Sequence, residues 1–310
     1  MNLTITDLIP PQDHTLRIND LDLHALTWDG GGSTTVILLH GYLDLAWSWI
    51  YTATALCRGR SDLHVVAVDW RGHGSSPRAA PGHFYHFVDY VRDLDAVVTA
   101  VGRDRVFIVG HSMGGGIASL WLGARPGRAR RAVLIEAGGP RPGGPEDFVS
   151  RVGDWIAQTT PFDPTTLDKP MRDLQHVEAR LRRNDPLLSA ERAQFLATKA
   201  AVQGVDGLWR WRYDPLNRVR SPTPTLPGVF EAFWGRVHIP IVWVEGEVSV
   251  LRTMTEAERL SSFPNLTRRV LPDAGHMVQH HQPEALANVV LGMIDFDNEE
   301  GVACGNDHHR

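Results

Sequence analysis

The stretch Arg105-Val106-Phe107-Ile108-Val109-Gly110-His111-Ser112-Met113-Gly114-Gly115-Gly116 leaves a chain few ways to fold. An apolar run of strand length leads straight into a serine with glycines two before and two after it, and Ile117, Leu120 and Trp121 follow at helical spacing. A backbone that turns from strand to helix within so few residues must pass close to itself, and glycines permit this because they carry no Cβ. The turn pushes the Ser112 hydroxyl into the open. It also leaves the Met113 amide, in the first turn of the helix, free to donate to a negatively charged oxygen. A Gly/Ser turn that merely joined a strand to a helix would share these few letters. The flanking strand and helix patterns, and three further motifs in order along the chain, favour the exposed nucleophile.

Before this elbow, residues 15–28 alternate apolar and polar around Asn19-Asp20, the pattern of an opening hairpin. Residues 35–39 form a continuous apolar run that suits a parallel strand buried on both faces. His40-Gly41-Tyr42 follows. Gly41 lets backbone approach a ligand, and the Tyr42 amide is a second candidate donor to an oxyanion; the His40 side chain is read as bonding within its own loop. A helix is expected over 47–56 and a buried strand over 63–69, leading into Asp69-Trp70-Arg71-Gly72-His73-Gly74-Ser75-Ser76. That turn lacks both the G-K-[ST] ending of a phosphate loop and a G-x-G-x-x-G run, so its expected role is structural, with Asp69 and Arg71 tying loops together beneath the site. An amphipathic helix is expected over 86–101, closed by Gly102. His73, His83 and His86 have no clean i, i+4 partner, and no metal is assigned to them.

After the elbow helix, 131–137 form another buried-strand run whose end carries a lone carboxylate, Glu136. Strands alternating with helices imply an α/β fold: a mostly parallel twisted sheet flanked by helices, with its sites at the carboxyl ends of the strands. The composition changes at Gly138-Gly139-Pro140-Arg141-Pro142-Gly143-Gly144-Pro145, and the chain to about Trp234 is helical in pattern and rich in Arg and Trp, without strand runs. Ser189 is a plausible N-cap there. The reading divides the chain into a first core part (1–137), an inserted helical lid (138–235), a second core part (236–296) and a disordered tail (297–310). The lid aromatics, Trp155, Phe162, Trp209, Trp211, Phe230, Phe233 and Trp234, collectively predict an apolar roof over a cleft. The sheet resumes at 239–246, a helix is expected over 253–260 and a strand over 266–271, and Pro283 opens a last helix. The His308-His309 pair reads as part of a solvated tail.

Hydrophobic residues make up 43% of the 310 and charged residues 22%, ordinary for a soluble globular protein, and a net charge of −5 provides no basic stripe for nucleic acid. No window approaches the ~18 uninterrupted apolar residues of a membrane span, and the first residues lack a basic region followed by an apolar one. Cys57 and Cys304 have neither disulfide-framework nor metal spacing. A cytoplasmic protein is expected.

His40-Gly41, the 69–76 turn, Gly110-His111-Ser112-Met113-Gly114 and Gly275-His276 follow successive strands, and together they resemble the α/β-hydrolase superfamily over about residues 15–295. The triple glycine of the elbow, the Leu134-Ile135-Glu136-Ala137-Gly138-Gly139-Pro140 segment and Trp209-Arg210-Trp211-Arg212-Tyr213-Asp214-Pro215 are similar to the serine-hydrolase-like, kraken-type group. The resemblance implies that Ser112 attacks a carbonyl carbon, that His276 takes its proton and passes it to the leaving group, and that the Tyr42 and Met113 amides hold the oxyanion. It implies a carboxylic ester hydrolase with no cofactor, and the lid aromatics predict that its substrate is a small ester with an apolar acyl or aryl group. His40, His111, Trp155, Trp209, Trp211, Phe233 and Met277 are the candidate pocket residues. A serine at 112 argues against the related dehalogenases and epoxide hydrolases, which use a carboxylate nucleophile. The same triad could cleave carbon–carbon bonds, thioesters, amides or lactones, or the fold could serve a receptor-like protein with little turnover.

The resemblance leaves one role irregular. The position where most α/β-hydrolases place their triad aspartate, after the strand ending at Gly246, is Ser249, which cannot hold a charge. Glu136 ends the strand after the elbow helix, where some haloalkane dehalogenases carry their acid, and is the expected partner of His276. Glu247, or water, is the alternative.

Overall fold

The computed structural model describes residues 3–140, 142–253 and 257–305. In chain order its elements are β1 (Gln12–Ile18), β2 (Leu21–Asp29), β3 (Thr34–Leu39), α1 (Ile50–Gly59), β4 (His64–Val68), α2 (Phe87–Val101), β5 (Arg105–His111), α3 (Met113–Ala124), β6 (Arg131–Ile135), α4 (Pro145–Thr159), α5 (Pro164–Leu167), α6 (Leu174–Asn184), α7 (Ala190–Ala200), β7 (Ala201–Gln203), β8 (Trp209–Trp211), α8 (Val229–Trp234), β9 (Ile241–Gly246), α9 (Ala257–Leu260), β10 (Leu266–Leu271), α10 (Val278–His281) and α11 (Pro283–Gly305).

Eight strands form one sheet in the order β1-β2-β4-β3-β5-β6-β9-β10. The opening hairpin turns through Asn19 and Asp20, both at positive φ, and pairs antiparallel. β2 also runs antiparallel to β4, and from β4 to β10 every pairing is parallel. Side chains alternate across a strand, so a continuous apolar run has to be covered on both faces. Ile37, Leu39, Val66, Val68 and Ile108 pack on one face with Leu94 and Val97 of α2 and Ile117 and Trp121 of α3. Val36, Leu38, Val65, Ala67, Phe107 and Val109 pack on the other with Ile50, Ala53 and Leu56 of α1 and Leu286, Val290 and Ile294 of α11. This is the α/β layering expected from the sequence.

Between β6 and β9 lies an insert in which Met171, Val177, Ala197, Trp211 and Tyr213 come together and pack with Leu45 from the loop after β3. Ser189 accepts from the Arg192 amide at 3.3 Å and caps α7. The expectation of an insert without strands is corrected. β7 and β8 form an antiparallel hairpin, with Met171 bridged to Trp209 beside it. The expected disordered tail is corrected over 297–305, which continue α11 as helix to Gly305. His308-His309 lie outside the described residues. So does part of the expected helix over 253–260, of which α9 is the described turn. No described helix is long and apolar enough to cross a membrane.

Candidate active site

The elbow is built by close approach. A Cβ on Gly110 would lie 2.7 Å from the Gly115 Cα, and one on Gly114 would lie 2.5 Å from the Leu39 carbonyl oxygen. No side chain fits at either position, so the two glycines that flank Ser112 in the motif are sterically required. Ser112 itself takes φ 50°, ψ −115°, a conformation costly for a residue with a Cβ and held here by its surroundings. Its amide donates to the Ile135 carbonyl (2.8 Å) and its carbonyl accepts from Gly116 (2.9 Å). With the Ser112 amide spent on β6, the next one, of Met113, opens α3 and has no acceptor within the helix. The Tyr42 amide, in the loop after β3, has no acceptor among the described residues.

His276 follows β10 and is held at its ring and at its backbone. Its Nδ1 lies 2.9 Å from Glu136 Oε2. Its carbonyl accepts from His111 Nε2 at 2.9 Å, and Gln279 Nε2 donates to the other ring nitrogen of His111 at 3.3 Å. These partners set the His111 tautomer. Burial holds the His111 ring well below the usual histidine range, reinforced by the neighbouring His276, so it stays a neutral strut.

Glu136 projects from the end of β6 at φ 49°, with its side chain 1% exposed. Its Oε1 accepts from the Gly246 amide (2.9 Å), and its Oε2 accepts from Ser249 Oγ (2.6 Å) as well as facing His276. A buried carboxylate needs several donors, and these supply them. Glu247 turns away: its Oε2 accepts from the Asp273 amide at 3.3 Å. Of the two carboxylates weighed from the sequence, Glu136 is the one brought to the histidine. Ser249 was read there only as an absent aspartate. Its hydroxyl in fact completes the shell of the carboxylate that lies elsewhere.

Beneath the site, Asp69 accepts from the Ala46 amide (2.6 Å), the Ser75 amide (2.8 Å) and His24 Nδ1 (2.7 Å), and Arg71 grips Asp93 through Nε and Nη2 (2.6 and 2.7 Å). The 69–76 turn thus ties loops together, as expected. His40 Nδ1 lies 2.7 Å from the Gly41 carbonyl, and its Nε2 accepts from the Trp70 amide (3.1 Å).

Ser112, Met113 and Glu136 open into a cavity of about 460 Å³. Its walls include Tyr42, Tyr85, Phe87 and Tyr90 from the core, Asn217, Val219 and Ser221 from the insert, and Leu251 and Arg259. The tyrosine hydroxyls are spent on the protein: Tyr42 donates to the Asn217 carbonyl, Tyr85 to Asp214 and Tyr90 to Asn217 Oδ1, at 2.7–2.8 Å. Arg259 is engaged by the Gly138 carbonyl and Glu231. What the cavity offers is largely ring and methylene surface.

None of the seven expected pocket residues lines this cavity, which is a correction. His40 and His111 are buried below it, and Met277 caps α10. Trp155 packs on Phe84 with centroids 5.0 Å apart, Trp211 stacks on Tyr213 in the core of the insert beside Trp209, and Phe233 packs on the main core. The insert does reach the cavity, but through Asn217, Val219 and Ser221, small or polar residues with no aromatic signal. Phe87 and Tyr90 were legible only as the apolar face of α2. Among the described residues, no group of three or more His, Cys, Asp or Glu is placed to hold a metal ion.

Comparison with known proteins agrees with this architecture. The alpha/beta hydrolase family pattern matches residues 36–289, and the chain belongs to that family. It is 30% identical over 188 residues to a serine hydrolase-like protein of Danio rerio, a match covering 60% of this chain and 56% of the fish protein, so it spans little more than half of that relative. It is 27% identical to the 3-hydroxybutyrate-oligomer hydrolase of Cupriavidus necator, over 87% of this chain and 93% of that one. Among solved structures, the thioesterase domain from the curacin biosynthetic pathway superposes with a TM-score of 0.81 over 91% of this chain and all of the other, at 24% identity, a likeness of fold.

Proposed function

We propose that this chain is a serine hydrolase cleaving small carboxylic esters with neutral, apolar or aryl acyl groups. The observation that carries the reading is the 2.9 Å contact between His276 Nδ1 and the buried Glu136 carboxylate, on the wall of a cavity that also takes in Ser112. In this reading Glu136 accepts a hydrogen bond from His276 Nδ1–H, which keeps the proton on that nitrogen and leaves Nε2 free to take the Ser112 proton. Ser112 Oγ attacks the ester carbonyl, the amides of Tyr42 and Met113 receive the oxyanion, and the alcohol departs with the proton returned by His276. Water then repeats the sequence on the acyl-enzyme. Each oxyanion donor is worth ~10²–10³ in rate. The insert acts as a cap, its 217–221 segment closing one wall. The named activity of the Cupriavidus relative, hydrolysis of hydroxybutyrate oligomers, points to the same bond class. Thioesters, lactones and carbon–carbon bonds would engage the same groups, and they belong in the substrate panel. We place the protein in the cytoplasm on its cysteine usage, two residues without disulfide-framework spacing.

The test is labelling of purified protein with a fluorophosphonate probe, together with turnover of p-nitrophenyl esters by wild type and Ser112→Ala. Labelling at Ser112 and turnover abolished by the substitution are expected. A wild type that neither labels nor turns over any ester, thioester or lactone would overturn the assignment in favour of a binding protein.

A further inference from the structure

His281 lies five residues beyond the proposed general base, and the reaction as derived gives it no role. Its side chain is 3% exposed and bonded at both nitrogens. Nδ1 accepts from the Gly275 amide at 3.0 Å, and Nε2 donates to Asp185 Oδ1 at 2.8 Å. The two partners belong to different parts of the molecule. Gly275 immediately precedes His276, whereas Asp185 caps the C-terminus of α6 in the insert.

We propose that Asp185 and His281 form a positioning pair through which the insert sets the backbone that carries His276. The chemistry is one of tautomers. A backbone N–H can bond only to a ring nitrogen without a proton, so the grip on Gly275 requires neutral His281 with its proton on Nε2. Asp185, acceptor-only when ionised, selects that tautomer. Its carboxyl is held well below the usual carboxylate range: burial opposes ionisation, and hydrogen bonds from His280 and His281 outweigh it. The segment is tied down further. Asp185 receives His280 Nδ1 at 3.4 Å, Arg192 donates to the His280 carbonyl, and Leu187 of the same insert loop packs at Gly275. The backbone on either side of His276 is then held, by His281 through the Gly275 amide and by His111 through the carbonyl of His276 itself. His281 is a positioning residue, and its role rests on His276 being the general base proposed above.

The experiment separates positioning from mere packing. Asparagine places its Oδ1 about where histidine places Nδ1, so His281→Asn keeps an acceptor for Gly275, and His281→Leu keeps none. With p-nitrophenyl acetate, His281→Leu is expected to lower kcat about 10- to 100-fold with KM within about twofold, the scale of a misplaced catalytic group. His281→Asn should recover most of that loss, and Asp185→Ala should cost less in the His281→Leu background than in wild type, because the two act largely as a unit. Ring-15N-labelled full-length protein reads the tautomer without any turnover: wild type should show His281 protonated at Nε2 alone, and Asp185→Ala should shift it. His281→Leu with wild-type kcat, His281→Asn as slow as His281→Leu, or a proton on Nδ1 in wild type would each overturn the proposal. A wild type that neither labels at Ser112 nor turns over any substrate would instead refute the reading of the active site, and the tautomer measurement would still decide the pair.

Discussion

Ser249 Oγ donates to Glu136 Oε2 at 2.6 Å, across the gap between the ends of β9 and β6. The serine stands where the resemblance places a triad aspartate, and here it is a hydroxyl that supports a carboxylate at the end of the neighbouring strand. The negative charge reaches the histidine from β6.

If Glu136 orients His276, Glu136→Gln lowers kcat by ~10²–10⁴ with little change in KM or fold. Ser249→Ala, which removes one donor to a buried carboxylate, gives a smaller loss. Ser249→Asp in the Glu136→Gln background restores part of the rate. Steady-state kinetics with Glu247→Gln in parallel decides the matter: near-wild-type turnover in Glu136→Gln with collapse in Glu247→Gln would return the acid to the β9 loop.

Gly41 offers a second test, aimed at the oxyanion loop. A Cβ there would meet His111 Nδ1 at 2.8 Å and Ser112 Cβ at 3.3 Å, and His111 is fixed by Gln279 and the His276 carbonyl. The loop must therefore yield, and it carries the Tyr42 amide. Gly41→Ala should lower kcat by up to ~10²–10³, the worth of one donor, with the fold intact by circular dichroism. Gly153→Ala, whose Cβ meets nothing within 4 Å, is the control. Equal rates in the two variants would remove Tyr42 from the oxyanion hole.

What could be read in advance follows from how each feature is encoded. The parallel strands were legible because Val36–Leu39 and Val65–Val68 are buried on both faces, which forces continuous apolar runs. The sharp strand-to-helix turn at Ser112 and the loop that carries His276 were legible because backbone crowding and loop position leave short local marks. The β7–β8 hairpin was not. Its strands are three residues long, and its pairing with Met171 is made by backbone, which any sequence can supply. The cavity wall was misread because aromatic content does not say which way a ring points: Trp211 turned into the core of the insert, while Phe87 and Tyr90, assigned to the core of α2, also face the site. Nor could spacing reveal that Asp185 meets His281, since that contact depends on where the insert folds back.

The cavity makes a prediction about substrate. Its tyrosine hydroxyls and Arg259 are already partnered within the protein, and Glu136 contributes a negative charge to its wall. A neutral acyl chain can lie on the rings, whereas a terminal carboxylate would face Glu136 and lose its water. Values of kcat/KM for p-nitrophenyl esters should rise from acetate to hexanoate by up to ~0.8 kcal/mol per methylene until the cavity fills. Hexanoate should outrun the monoester of adipic acid. A flat or falling series, or preference for the acidic ester, would contradict the neutral pocket.

The buried histidines predict how stability depends on pH. His73 has no exposed surface, and burial, reinforced by neighbouring His40, lowers its pKa from 6.5 to about 3. Burial likewise pushes His111 well below its ordinary value. In the unfolded chain both would titrate near 6.5, so between that pH and the folded values the unfolded state binds more protons. Acid therefore favours unfolding: the stability attached to each ring is fully present above pH 6.5 and is lost as pH falls, for His73 down to about 3. From pH 7.5 to 5 the loss for His73 alone is about 2 kcal/mol. Asp185, lowered by its imidazole partners against the opposing effect of burial, adds a loss in the same direction at more acid pH. His24 works against the trend. Burial depresses it, but hydrogen bonds to Asp69 and Asp13 prevail and leave its pKa raised, so it stabilises the fold below pH 6.5 and ceases to do so as pH rises. The histidines at 73 and 111 outnumber it, and the net slope should be positive. Urea unfolding at pH 7.5 and 5.0 checks this: the midpoint should fall on acidification, and His73→Gln should fall less steeply than wild type. A His73→Gln midpoint that falls as steeply as that of wild type would mean that His73 contributes nothing to the slope.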